Sequence, residues 1–166
     1  MICQARWKWR TVEPMTIAHL IEALRTTLCP SLTVREAEHI ANATVPRRVA
    51  ADHDICHEGD RTAGLIFLVK GTADILKETP HGAAQGLATV EGPIMLGEIG
   101  LLTGDPISAT IRARSECECF TLTRSQYQRL LEHEGLAISK LVIAIATVLA
   151  RRLSATSSRI VALSQE

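Results

Sequence analysis

The glycines of this chain are crowded into its middle. Nine of the ten (Gly59, Gly64, Gly71, Gly82, Gly86, Gly92, Gly97, Gly100 and Gly104) lie between Val45 and Leu122, whereas Leu136 to Glu166 contains neither glycine nor proline. Short runs with β-branched residues, separated by glycine turns, argue for many short antiparallel strands folded into a closed or double-layered roll. The flanks carry helical spacing instead. The predicted fold is mainly β with flanking helices: a jelly-roll-like β-roll with N-terminal helices and a long C-terminal helix.

The strand candidates are 47–51, 54–57, 65–70, 72–77, 86–90, 108–114 and 118–122, with a mobile loop expected at 78–85 around Pro80 and Gly82. Before them, Ile17, Leu20, Ile21, Leu24 and Leu28 follow a helical period with Thr16 available as N-cap, and Cys29-Pro30 ends it. Thr33, with Glu36 three residues later, forms a capping-box pattern that opens a second helix to Ala43. Beyond the strands, Ser125 is positioned to cap a helix through Tyr127, Leu130 and Leu131, broken or bent at Gly135. Twelve of the fifteen residues in 136–150 are apolar, so the final helix must be covered on more than one side. One side can pack on the roll and the other on a second copy of the chain.

With 166 residues, 46% of them hydrophobic, the chain can bury one ordinary core. The expected division is an N-terminal tail (1–15) and one domain (16–166), the latter made of helices (16–44), roll (45–123) and C-terminal helices (124–166). Eighteen basic residues balance eighteen acidic ones, which leaves no electrostatic footprint for nucleic acid or an anionic membrane. Five cysteines, an odd count with no apolar leader, favour free thiols and a cytoplasmic setting. The opening segment places Trp7 and Trp9 among Arg6, Lys8 and Arg10, and is expected to be a loosely packed tail. The apolar run Leu141 to Ala150 is too short to span a bilayer.

One stretch carries chemistry. From Leu96 to Ala113 the chain reads Gly97-Glu98, a short helical turn closed by Gly104, then a strand restarting after Pro106 with Ser108 and Thr110. A helical turn entered through glycine aims backbone N–H groups at whatever precedes it, which suits a phosphate. An ionised Glu98 accepts hydrogen bonds only, which suits hydroxyls. Together they suggest a ribose phosphate.

Leu96 to Leu102 and Pro106 to Ile111 resemble the phosphate-binding cassette of cyclic-nucleotide-binding domains of the catabolite activator type, roughly Phe-Gly-Glu-Leu-Ala-Leu-Leu and then Pro-Arg-Ser-Ala-Thr-Val. Leu149 to Ser157 is similar to that family's dimerisation helix, and the resemblance covers about residues 16–163. It implies a ligand site at Gly97, Glu98, Ile99, Ile107, Ser108, Ala109 and Thr110, with Thr156 and Ser157 as adenine contacts. Ile107 stands where the family places its phosphate-binding arginine, and it offers neither charge nor donor. Arg61 and Arg112 are the nearest substitutes in the pattern; Arg112 is also a candidate ion-pair partner for Glu98.

The remaining clusters point elsewhere. His53 and His57 would share one strand face with Cys56 and Glu58 on the other, a poor arrangement for a metal, so no metal site is expected. Cys117 and Cys119 suit buried small side chains. The expectation is a standalone regulatory domain, not an enzyme, that senses a small ligand such as cAMP or cGMP, carries no cofactor, and signals through its C-terminal helices. It would be a homodimer through the last helix, acting on an effector protein whose identity the sequence leaves open, with no nucleic-acid or membrane partner. The alternative is a degenerate roll that binds no nucleotide and serves as a dimerisation or docking module.

Overall fold

The clearest cause of the architecture is the strand β3, Leu65–Lys70, whose first four residues are all buried. A strand apolar on both faces must be covered on both. Leu65 and Phe67 point into a core shared with the helices, whereas Ile66 and Leu68 point into a second core between two sheets. The computed structural model, which describes residues 14–61 and 64–163, therefore has three layers: helices, an inner sheet and an outer sheet.

Eight strands form two antiparallel four-stranded sheets. The inner sheet has the order β1 (Val45–Val49), β8 (Cys117–Leu122), β3, β6 (Ile94–Leu96). The outer sheet has the order β2 (Asp54–Cys56), β7 (Thr110–Ala113), β4 (Thr72–Glu78), β5 (Ala84–Glu91). Register places Phe67 opposite Phe120 and Leu65 opposite Leu122, so two aromatic and two aliphatic side chains meet on the helix-facing side. On the other side Cys117 and Cys119 are buried with Ile111 and Ala113. The mainly β roll with flanking helices expected from the glycine pattern is the observed fold.

The boundaries differ from the sequence reading for identifiable reasons. Strand β1 starts at Val45 rather than Arg47, because β1 is an edge and Pro46 has no N–H to miss there. Strand β6 is an apolar triplet too short to carry a period, and the sequence reading passed over it. The ladder Glu78↔Ala84 closes the expected 78–85 loop to a five-residue turn, with Thr79 N–H donating to Ala83 O at 2.9 Å. Strand β7 begins at Thr110 rather than Ser108, since Ile107 exchanges backbone hydrogen bonds with Gly59 and Asp60 instead of joining the sheet.

Helix α1 runs Pro14–Ala23 and continues as a π-helical turn, Leu24–Leu28. It starts two residues before the expected cap Thr16, at a proline whose fixed φ suits the first helical turn. Helix α2, Val34–Asn42, has the expected capping box: Glu36 N–H donates to Thr33 Oγ1, and Thr33 N–H to Glu36 Oε2 at 2.7 Å. Helix α4, Arg124–His133, is capped by Thr123 with Gln126, not by Ser125, which lies inside the first turn of the helix. The helix expected to break or bend at Gly135 breaks at Glu134, and Gly135 opens the last helix, α5 (Gly135–Leu163).

Helix α5 sits on the inner sheet through Ala137, Ile138, Leu141 and Ile145. Lys140 secures it to α2, its Nζ lying 2.7 and 2.9 Å from the two oxygens of Glu36. That carboxylate serves the cap and the ion pair together, and both hold it below its usual titration range, Lys140 most strongly. Among the described residues no helix is long and apolar enough to cross a membrane. The segment holding Trp7 and Trp9 lies outside the described residues.

Candidate ligand-binding site

A cavity of about 400 Å³ opens where the short helix α3 (Glu98–Thr103) meets the outer sheet, within the range that encloses small ligands. Most of its wall is aliphatic: Ile75, Leu87, Leu96, Ile99, Ile107 and Ile111. Polar groups come from Glu98, Ser108, Lys77 and Arg152.

Gly97 makes the floor possible. It takes φ +75°, and a Cβ there would come within 2.7 Å of the Gly64 carbonyl oxygen. A glycine accepts both conditions at once. The next residue, Glu98, is thereby turned inward and is only 6% exposed.

A buried carboxylate needs a partner, and Glu98 finds one on α5. Arg152 Nη1 donates to Glu98 Oε1, while Nη2 donates to the Met95 carbonyl at 3.1 Å. One guanidinium thus bridges β6, the α3 entrance and the last helix. The sequence reading placed Arg152 only within a dimerisation helix; its signal was a cation one turn before Thr156 on the last helix.

Gly97, Glu98, Ile99, Ile107, Ser108 and Ala109 all line the cavity. Thr110 does not: it is 8% exposed, and its hydroxyl accepts the Glu58 N–H at 3.0 Å, pinning the β2–β3 loop to β7. Thr156 and Ser157 are exposed on α5 and lie outside that lining, their hydroxyls donating back to the Arg152 and Leu153 carbonyls at 2.9 and 3.0 Å.

Neither expected substitute cation reaches the cavity. Arg112 makes a two-pronged pair with Asp54 at 2.6 and 3.2 Å, and Arg61 is exposed outside the lining. Strand alternation explains Arg112: it follows Ile111, which faces inward, so it faces out. Its partnership with Glu98, open in the sequence, is likewise replaced by Arg152.

Lys77 is the other cation at the rim, and the sequence reading missed it. It lies two residues after Ile75 on β4 and so shares its face. Its Nζ is 2.5 Å from Glu58 Oε1 and 2.6 Å from the Ser108 carbonyl. The Glu78 N–H donates to the other Glu58 oxygen at 3.0 Å. That N–H, then the lysine, keeps the Glu58 carboxyl below its ordinary range.

The histidines and thiols have local roles. His57 Nε2 lies 2.9 Å from Asp54, and His53 Nδ1 lies 3.0 Å from the Ala51 carbonyl. Among the described residues no three His, Cys, Asp or Glu side chains are placed to hold a metal. Burial pushes the Cys56 thiol up to about 11 and Cys119 up to about 12, which makes both poor nucleophiles at neutral pH.

Comparison with known proteins finds relatives of the same fold. The global transcriptional regulator Vfr of Pseudomonas aeruginosa, described as cAMP-activated, is 27% identical over 118 residues, 69% of this chain and 53% of that protein. A cAMP-dependent protein kinase regulatory subunit of Hypocrea atroviridis is 34% identical over 101 residues, 61% of this chain and 21% of that one. The chain spans about half the length of the bacterial regulators it matches. Among solved structures, a cyclic nucleotide-binding domain from Methylobacillus flagellatus superposes with a TM-score of 0.78 at 21% identity, covering 89% of this chain and 83% of that one. The Thermus thermophilus catabolite activator protein gives 0.71 at 23% identity, covering 82% and 62%. The family model described as cyclic nucleotide-binding domain matches residues 46–134, β1 to the end of α4, and to that family the chain belongs.

Proposed function

We propose that the chain is a regulatory sensor whose cavity takes a cyclic nucleotide, cAMP or cGMP, and whose output is the position of α5. The observation that carries this reading is the Glu98–Arg152 pair. The carboxylate whose acceptor-only chemistry suits a ribose hydroxyl is joined to the helix that must move. A ligand hydroxyl donating to Glu98 competes with Arg152 for its oxygens, so occupancy bears directly on α5. The relatives described as cAMP-activated and cAMP-dependent support the ligand class. The role is one of binding, with no chemical step.

The same helix supports a homodimer. Leu136, Ile143, Ala146, Ala150 and Leu153 are exposed and spaced by seven and by three or four residues, the seam of a two-helix coiled coil. Leu136, Ile143 and Leu153 are 68%, 66% and 70% exposed in the single chain. A second copy covers that seam and brings its own Thr156 and Ser157 near this protomer's cavity.

Calorimetric titration of nucleotide-stripped protein with cAMP and with cGMP, up to millimolar ligand and with Glu98→Ala as control, tests the ligand. Saturable binding lost in the control supports the proposal. Silence to millimolar sinks it and leaves the roll as a dimerisation or docking module.

A further inference from the structure

We propose that Lys77 supplies the positive charge that the phosphate end of the cavity lacks at Ile107; this rests on the cyclic-nucleotide reading above. Ile107, Ser108 and Ala109 form one wall of the cavity, the wall on which a cyclic phosphate would lie. An isoleucine there cannot bind an anion, and a phosphate cannot be desolvated against an aliphatic wall without compensation. The lysine ammonium stands at that wall, 2.6 Å from the carbonyl oxygen of the residue next to Ile107.

Its hydrogen bonds leave room for a ligand. An ammonium has three N–H donors. One goes to Glu58 Oε1 and one to Ser108 O, so the third is available to a phosphate oxygen. The two protein acceptors hold the flexible stem over the cavity before any ligand arrives. Glu58 is itself anchored, by the Glu78 N–H on its second oxygen and by its own backbone N–H on Thr110.

Among the described residues the cavity lining contains one other cation, Arg152, and that guanidinium is engaged by Glu98 and the Met95 carbonyl. Lys77 is therefore the group that can meet an anion without dismantling the pair that links the site to α5. The arrangement has a built-in antagonist: Glu58 sits on the same ammonium and repels the phosphate. Lys77 is thus a ligand-binding residue whose strength is set by Glu58.

The test is titration of cAMP into the wild type, Lys77→Met, Lys77→Arg and Glu58→Gln, each checked by urea unfolding. Loss of one charged hydrogen bond predicts affinity falling roughly 10- to 100-fold in Lys77→Met. Lys77→Arg should restore most of it. Glu58→Gln, which keeps an acceptor for the Glu78 N–H but drops the charge, should bind more tightly than wild type. A lysine needed only for structure would make Glu58→Gln weaker too, because both variants break the same pair. Wild-type binding with Lys77→Met unchanged, or with Glu58→Gln weakened, overturns the role of Lys77 alone. Absence of binding by the wild type overturns the cyclic-nucleotide reading, and this assignment with it.

Discussion

The guanidinium of Arg152 on α5 pairs with the carboxylate of Glu98 at the entrance of α3, fifty-four residues away in sequence. Glu98 is almost wholly buried, whereas Arg152 keeps a partly exposed side chain. The carboxylate therefore depends on its partner more than the reverse.

That asymmetry orders the variants. Arg152→Ala strands a buried charge and should cost about 1–3 kcal/mol of stability. Glu98→Gln, which leaves no buried charge, should cost less. The double variant should recover part of the loss, and urea unfolding followed by circular dichroism measures the coupling. Additive losses would mean that the pair contributes nothing.

Gly97→Ala should cost about 1–3 kcal/mol, since alanine at φ +75° is strained and its Cβ meets the Gly64 carbonyl. The same variant should weaken ligand binding, because relief of the clash moves Glu98. Thermal unfolding and calorimetry read the two effects separately. Wild-type values in both would refute the account of the cavity floor.

Acid should unfold the protein through its paired carboxylates. Lys140 lowers the Glu36 pKa from 4.5, and Arg112 lowers the Asp54 pKa from 3.8. Between the folded and ordinary values the unfolded chain binds more protons, so stability rises with pH there. The contribution is full above about pH 5 and is lost as pH falls through the lowered folded values. Urea midpoints at pH 7, 5, 4 and 3 should decline in the wild type and decline less steeply in Glu36→Gln. Parallel curves would show that Glu36 takes no part.

On the homodimer, Ile143→Glu and Leu153→Glu place charge on the exposed seam of α5. Each burial lost counts in both protomers at about 1.5–3 kcal/mol apiece, so association should fall by more than about a hundredfold. Sedimentation equilibrium should show the variants monomeric at concentrations where the wild type is dimeric. A monomeric wild type would remove α5 as the dimer interface.

The roll was legible because its causes are local. Glycines mark the turns, and the apolar run Leu65–Leu68 announces a strand covered on both faces. The α2 cap was legible for the same reason: Thr33 and Glu36 are three residues apart and need no tertiary partner. Thr123 with Gln126 and Ser125 with Gln128 carry the same spacing, so the chain alone does not choose between the two caps. The cavity was partly legible. Gly97 to Ile99 and Ile107 to Ala109 are contiguous segments, whereas Thr110 lies outside the lining because its hydroxyl is engaged by the Glu58 N–H, supplied by another loop.

The sequence by itself determined seven of the eight strands, the helices and the absence of an arginine at position 107, since these follow from side-chain shape and periodicity along a few neighbouring residues. Only the tertiary structure decided which charges serve the cavity. Arg112 stands close by in sequence yet faces away, as strand alternation requires. Lys77 and Arg152 arrive from a hairpin and a distant helix, because an ion pair depends on distance in space and a folded chain brings remote residues within 3 Å as readily as near ones.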